Sequence, residues 1–406
     1  MSRPKQIRIW VFSPEHPSGE KFPSAPFHVT FRNRRCVSPQ SGPQSAEFKA
    51  GIHSRFFGLG AIALLSILCV AGGISLRLIS PASAEQIDSA SASVAFRAVM
   101  VEDERGDPAA CGKQAAELLR QAIGTLPLKA VLISECFEDQ ETKAQLLAGL
   151  SSVLPSEVLF GGATYGSFTN SGCSDVDSVC LLGIAGDKIE VRPILVTELG
   201  TADLIFDEAQ GLIRTRLVDA GQKLAKGLNR QSDDRLLILF ADAHWPKNQF
   251  LIEGVHKVLG QEFPITGGCV NKNVGQTFVY YKGKMYQDSA VGLMLSGSIR
   301  VSLAGKHANE APRIIATAEE AGRLAAKNVE GVPCGVLAFG CAGRRGKLDR
   351  LEDELEALQK GMQVQAPIFG CYCAGEFGPV DDPAVSSAAL CGGSGWHLMI
   401  TLITTE

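Results

Sequence analysis

Three glycine-centred phrases recur down the chain and limit what it can fold into: LFGGAT ending at Thr164, ITGGCV ending at Val270, and IFGCYC ending at Cys373. Their first glycines, Gly161, Gly267 and Gly370, lie 106 and 103 residues apart, the spacing of one unit repeated three times. A proline stands shortly before each phrase (Pro155, Pro264, Pro367). Further upstream come the short apolar runs AVLIS (130–134), LLILF (236–240) and GVLAF (335–339), which read as buried parallel strands. Helical stretches precede each run and separate it from its glycine phrase. Downstream, SVCLLGIAG (178–186) is echoed by SAVGLMLSG (289–297), and the third copy reads as degenerate there. A unit of helix, strand, helix, strand and hairpin calls for mixed sheets covered by helices, with crossovers supplying the parallel part. The expected fold class is therefore α/β with mixed sheets, built from three related units. A glycine pair closing a strand permits positive φ or a close approach of backbone to ligand. For any single copy, a tight turn is sufficient explanation.

The N-terminal quarter differs in kind. Residues 1–55 carry nine Lys or Arg against three acids, with seven prolines and no sustained hydrophobic period, and read as a disordered basic leader or an over-extended start. Residues 56–76 then run FFGLGAIALLSILCVAGGISL without a charge, and ~20 apolar residues is the length of helix that crosses a hydrocarbon core. Lys49 and Arg55 on the N-terminal flank favour leaving that side in the cytoplasm, a bias that Arg77 weakens. Ala82 and Ala84 fill the small-residue positions of an A-x-A cleavage site. Residues 56–84 thus read either as a signal peptide, the slightly favoured reading, or as a retained transmembrane anchor holding the protein in the membrane through residues 56–79. Both put the body outside the cytoplasm, periplasmic or secreted. Cys69 follows a bulky leucine, a poor context for lipidation. Beyond the leader no basic stretch interleaves with aromatics, and the formal net charge is -4, which excludes the footprint of a nucleic-acid binder.

The C-terminal stretch VLAFGCAGRRGKLDRLEDELEALQKGM, followed by APIFGCYCAGEFGP, joins a strand ending in Cys, a nearby Gly-Arg pair, an acidic helix and a strand ending in Gly-x-Tyr-x-x-Gly-Glu. Cys341, Gly343, Arg344, Gly370, Tyr372, Gly375 and Glu376 fill these positions in a pattern that resembles the FIST C-terminal domain. PITGGCVNKNVGQTFVYYKGKMYQDSAVGLMLSG, with its Gly267-Gly268 turn and the short turn at Lys282-Gly283, is similar to the FIST N-terminal half. The resemblance implies an N-terminal-like domain over 95–305 and a C-terminal-like domain over 306–406. It also implies a sensory module for small ligands, suspected to include amino acids, that signals through a partner protein. Some members resemble haem-based sensors. The chain departs from the pattern where an Asn-x-Thr is common and GWHLMITL stands instead, with His397, and again in its export segment.

The third copy adds chemistry to the turn. Leu348, Leu351, Leu355, Leu358 and Met362 form an apolar helical stripe, while Arg344, Arg345, Lys347 and Arg350 crowd what reads as the first turn, where the helix dipole prefers negative charge. That misfit suggests a bound anion. With Glu376 at the neighbouring strand end, Arg344 would complete a match to an amino-acid zwitterion. The expected ligand-binding residues are Cys341, Arg344, Cys371, Tyr372, Gly375, Glu376, Gly267 and Gly268.

Ten cysteines follow Ala84 and admit three readings: disulfides, small buried hydrophobes, or a thiolate site. Cys371-x-Cys373 lacks a matching second pair, so no metal site is expected. His244, His256, His307 and His397 show no ligand spacing and read as structural or exposed, with haem ligation by one of them as a minor alternative. The chain shows no nucleophile elbow, P-loop or dinucleotide fingerprint, and the carboxylate pairs Asp233-Asp234 and Asp381-Asp382 read as turn formers or solvated charge. The sequence reads as a binding module rather than an enzyme. The alternative is a thiol-dependent redox or hydrolytic enzyme, marked by a low-pKa Cys341 or Cys371 beside Arg344.

Overall fold

The computed structural model describes residues 94–327, 329–381 and 391–406; the leader and the apolar segment read above lie outside them. Among the described residues no helix is long and apolar enough to cross a membrane. The repeat is fully expressed. The first unit is β1 (Ala95–Glu102), α1 (Pro108–Ile123), β2 (Leu128–Glu135), α2 (Gln140–Ser151), β3 (Leu159–Ala163), the hairpin β4 (Ser167–Thr169) and β5 (Gly172–Ser174), and β6 (Ser178–Ala185). The second is β7 (Ile189–Val196), α3 (Phe206–Gly227), β8 (Asp234–Ala241), α4 (Asn248–Leu259), β9 (Ile265–Cys269), the hairpin β10 (Val279–Tyr281) and β11 (Lys284–Tyr286), and β12 (Ala290–Gly297). The third is β13 (Ile299–His307), α5 (Ala311–Ala326), β14 (Val332–Cys341), a short α6 (Ala342–Arg345), α7 (Glu352–Met362), β15 (Ile368–Cys373), the hairpin strands β16 (Glu376–Pro379) and β17 (Cys391–Ser394), and β18 (His397–Thr405).

The third copy is not degenerate. β18, HLMITLITT, is buried over eight of its nine residues and stands where β6 and β12 stand in the other units. The boundary expected near residue 305 falls inside β13 and separates no sheets.

Each unit builds a sheet, but none completes its own. The sheets run β1-β6-β2-β3-β10-β11, β7-β12-β8-β9-β16-β17 and β13-β18-β14-β15-β4-β5. The second unit's hairpin therefore finishes the first sheet, the third unit's finishes the second, and the first unit's finishes the third. Within each sheet the run and glycine phrase pair in parallel: Ile133 with Gly161, Leu239 with Gly267, Ala338 with Gly370. The remaining ladders are antiparallel, so the sheets are mixed, as the repeat pattern requires.

Alternation along the strands divides the apolar residues between two layers. One face of all three sheets meets in a common core that includes Leu132, Leu182, Leu236, Phe240, Leu295, Phe339, Phe369 and Ile403. The other faces are covered by a helix pair each, α1 with α2, α3 with α4, and α5 with α7. A buried aliphatic side chain contributes about 1.5–3 kcal/mol, so this double burial explains why the runs are apolar without interruption. The helix pairs meet at glycines in every unit: a Cβ at Gly149, Gly254 or Gly361 would lie 2.1, 2.1 or 1.9 Å from a backbone oxygen of the facing helix.

The first glycines of two phrases are sterically obligatory. Gly161 and Gly267 have φ of +142° and +150°, and a Cβ on either would stand 2.0 Å from the carbonyl oxygen of Ile133 or Leu239. Gly267→Ala is expected to cost about 2–6 kcal/mol, the sum of backbone strain and overpacking. Chemical denaturation measures it, and a loss below 1 kcal/mol would contradict the close approach.

Candidate functional site

The residue four places beyond each first glycine crosses into the neighbouring unit. Asn271 N–H donates to Ala163 O (2.7 Å), Ala374 N–H to Cys269 O (3.1 Å), and Tyr165 N–H to Tyr372 O (2.9 Å). These positions are equivalent in the repeat, so the bonds close a three-membered ring that ties the C-terminal ends of β3, β9 and β15 together. Tyr372 N–H→Gly166 O, Cys269 N–H→Gly375 O and Trp245 N–H→Ala374 O reinforce it. Cys136, Asp242 and Cys341 follow or end the paired strands β2, β8 and β14 at the same place in each unit.

All eight residues expected to bind ligand lie at or beneath this junction, yet most are sealed inside it. Gly268 admits no side chain, since a Cβ would fall 2.2 Å from Cys373 Sγ, and Gly375 (φ +137°) lets the Trp245 backbone approach. Tyr372 is buried with its ring against Phe168 (5.3 Å between centroids). Cys371 Sγ sits 3.6 Å from Cys373 Sγ in the core. All ten cysteines of the described residues are free thiols. Burial, then the nearby Glu376, pushes the Cys341 thiol up to about 12. It is protonated at neutral pH, the reverse of the depressed pKa that a reactive thiol requires.

The expected pairing of Arg344 with Glu376 is not what the fold makes. Arg344 is fully buried; its Nε and Nη2 grip Glu354 Oε1 of α7 at 2.9 and 2.6 Å, and its remaining donors reach Thr317 Oγ1 and the carbonyls of Ile314, Lys306 and Trp396. The guanidinium has no donor left for a ligand. The helix-dipole misfit disappears too, because α7 begins only at Glu352 and its first turn holds Glu352, Asp353 and Glu354. Arg345 pairs with Asp175, and Arg350 with Asp353 and Glu356. Asp234, read as solvated, is buried and bound to Arg192 and Ser296. Asp381 lies 3.5 Å from Lys306.

Glu376 is the unusual group. It is fully buried, its Oε2 accepts from His397 N–H (3.1 Å), and its Oε1 has no partner among the described residues. Burial holds its carboxyl far above the ordinary range, although the His397 amide, the Cys341 thiol and Arg344 pull the other way. Burial thus favours its neutral form at the floor of the junction.

A polar cluster of the second unit, absent from the sequence reading, stands at the rim. His244 Nε2 lies 3.3 Å from Asp242 Oδ1 and 3.2 Å from Asn271 O. The Asn271 carbonyl oxygen can only accept, so Nε2 carries the proton and Nδ1 presents a lone pair. Burial, then Lys272 and Lys247, lowers His244 to about 4, so the imidazole is neutral and its 3.3 Å approach to Asp242 is not an ion pair. Burial raises Asp242 to about 6. The signal in the sequence was positional: Asp242 and His244 directly follow the apolar run of β8, where Cys136 and Cys341 follow theirs.

Two cavities lie elsewhere. One of about 640 Å³ is lined by residues of β1, its following loop and α1, and one of about 410 Å³ by residues around Arg230 and Phe263. Neither is lined by a histidine, and the Cys111 thiol in the larger is turned to Val101 O (3.7 Å). These residues do not fit a ligated haem.

The FIST N domain matches residues 128–325, and the FIST C domain matches residues 297–379. The chain belongs to the FIST family. FIST domains are sensory domains of signal transduction. The two matches overlap across β13 and most of α5. No curated protein matches the chain. Among solved structures it is similar to a cyanuric acid hydrolase (9% identity, covering 77% of this chain and 100% of that one, TM-score 0.40) and to the cyanuric acid hydrolase of A. caulinodans (9%, 77% and 99%, TM-score 0.40). It is also similar to a chorismatase (9%, 77% and 99%, TM-score 0.35). Likeness at this level says nothing of chemistry here.

Two variants separate structure from binding in the third unit. Arg344→Ala leaves Glu354 buried without its cation and is expected to cost about 3–5 kcal/mol. Glu376 has the opposite signature. Its folded pKa is raised above the ordinary 4.5, so its contribution is present below that pH and is lost as pH rises toward the folded value. Glu376→Gln should therefore gain at least about 1 kcal/mol at pH 8 relative to pH 4 when compared with the parent protein. Parallel denaturation curves at the two pH values would show instead that Glu376 is ionised.

Proposed function

We propose that this FIST protein is a ligand-binding sensory module whose ligand, an amino acid or another small anion, seats at the junction of the three units. One observation carries the reading: three strand ends are closed into a hydrogen-bonded ring with partly exposed polar and aromatic side chains on its rim. Trp245 is 50% exposed there, Tyr165 and Trp396 are half-buried, and the Tyr165 hydroxyl accepts from Lys272 N–H (3.0 Å). The rim carries both signs of charge, Lys247, Lys272 and Arg345 beside Asp242, Asp288, Asp203 and Asp175, which suits a zwitterionic guest. Arg344 supports this site from beneath rather than touching the ligand. The protonated Cys341 thiol argues against the thiol-enzyme alternative.

The uncharged segment at 56–76 and the A-x-A site support a body on the far side of the cytoplasmic membrane, where it passes its signal to a separate protein. A panel of the common amino acids and small carboxylates, titrated against the full chain, is expected to contain at least one compound that raises Tm saturably. Stabilisation of about 2.7 kcal/mol is reached at a concentration 100 times Kd. The same compound should be recovered unchanged by mass spectrometry. Turnover of the compound would replace the sensory reading with an enzymatic one.

A further inference from the structure

The strands β1, β7 and β13 each end a sheet and occupy the same place in the repeat. Asp103 N–H donates to Asp177 O (2.8 Å) in register with the β1–β6 ladder, which fixes the alternation along β1. Odd-numbered residues bond β6, and Phe96, Ala98, Met100 and Glu102 turn their N–H and C=O outward. Arg97 Nη1 covers the Phe96 carbonyl (2.8 Å), whereas the outward groups of Ala98, Met100 and Glu102 have no partner among the described residues. The equivalent edges are blunted. Pro193 of β7 pairs with Leu293 as Ala98 pairs with Leu182, the fifth residues of the two echoed phrases, and it has no N–H to offer. At the end of β13 the His307 N–H turns to Asp381 Oδ2 (3.5 Å) beside the ion pairs of Lys306 with Asp381 and Glu320. β1 carries neither device. The cavity of about 640 Å³ lies along it, with Met100, Val101 and the exposed Leu118 of α1 as its apolar part. Its polar part is acidic, with Glu102, Asp103 and Glu104 against Arg105. Asp103 Oδ1 accepts from the N–H groups of Arg105 and Asp107, while Oδ2 has no partner among the described residues. An unpaired strand edge beside apolar side chains and a row of carboxylates is complementary to an extended chain that carries basic side chains.

We propose that β1 is a docking strand, to which an extended basic segment of a separate protein adds along residues 98–102 as a further strand of the first sheet. Its backbone pairs with the outward groups of Ala98, Met100 and Glu102. Side chains alternate along a strand, so every second one of the incoming segment lies on the α1 side. There an apolar side chain meets Val101 and Leu118, and a lysine or arginine at the end meets Glu102, Asp103 and Glu104. A second copy of this chain is a poorer occupant, because it brings an identical acidic groove to the contact. The surface goes beyond the ligand-site reading, and only its role as the sensor's output rests on that reading. Its position suits that role: Asp177, bonded to Asp103 N–H, stands two residues from Asp175, whose carboxylate pairs with Arg345 on the rim of the junction.

A fluorescent hexapeptide alternating valine with lysine serves as the probe, and versions with glutamate for lysine or with N-methylated backbone amides serve as controls. Each is titrated against the full chain by fluorescence anisotropy. The lysine peptide is expected to bind saturably, at least about tenfold more tightly than either control, and to weaken as salt is raised. Ala98→Pro installs the residue that β7 already carries at this place and removes an outward N–H without touching the ladder to β6. It should abolish binding while leaving the Tm within a few degrees of the parent, and should it fail to fold, the N-methylated peptide makes the same comparison on the parent chain. Glu102→Lys combined with Glu104→Lys should turn the preference to the glutamate peptide. No binding of the lysine peptide, equal binding of the N-methylated one, or binding that survives in a folded Ala98→Pro protein overturns strand addition. Equal binding of the glutamate peptide overturns the basic partner. A dimer of the full chain that Ala98→Pro dissolves gives the edge to a second copy and overturns the inference as well. None of these outcomes touches the junction, which the panel of amino acids and small carboxylates tests separately.

Discussion

Three backbone hydrogen bonds, from Asn271 to Ala163, from Ala374 to Cys269 and from Tyr165 to Tyr372, hold everything else in place. Glycines at 161 and 267 let β3 and β9 lie against β2 and β8 at distances no Cβ would tolerate. The ring then fixes where the hairpins must go, and the hairpins complete sheets that would otherwise end in bare strands. Position of the rim residues follows from that closure, since Asp242 and His244 leave β8 at the same level at which Asn271 leaves β9.

The region just past the paired strand is used for different chemistry in each unit. In the first unit the strand end holds Glu135, fully buried, with Lys143 of α2 3.0 Å from both carboxylate oxygens and the Tyr280 hydroxyl on the same carboxylate. In the third unit the polarity is reversed, with Arg344 after the strand and Glu354 on the helix. Both pairs are buried within the protein and serve as internal struts, although Glu354 Oε2 has no partner among the described residues, and a strut of this kind specifies geometry more than it adds stability. In the second unit the strand end carries Asp242 and His244 instead, with the imidazole bonded to the Asn271 carbonyl. Different chemistry has thus been placed on a near-symmetric frame.

Much of this frame was legible in the sequence. Uninterrupted apolar runs such as LLILF can be buried on both faces only in a covered sheet, and the glycine phrases marked the unit length. The edge strands β1, β7 and β13 were not legible. Their residues are mostly half-buried, as in IEVRPILV, and the apolar signal is diluted by charge and proline. β18 was missed because HLMITLITT lacks the glycine that made its two counterparts look alike. Exchange of hairpins between units is a long-range property that no local pattern encodes. At the site, Arg344 was found by motif but given the wrong partner, because a cluster of arginines in a sequence does not show which of them the fold buries. His244 was passed over because the group it bonds, the Asn271 carbonyl, is brought to it only by the meeting of strand ends.

The hairpin exchange also says something about a single copy of the repeat. Detached from its neighbours, one unit would carry a hairpin with nothing to pair with and a strand edge awaiting a hairpin from elsewhere. The two are complementary but face different directions, so copies would join head to tail, and a rotation of one-third of a turn closes such a chain after three members. Joining the three covalently removes the need for assembly and frees each copy to change independently.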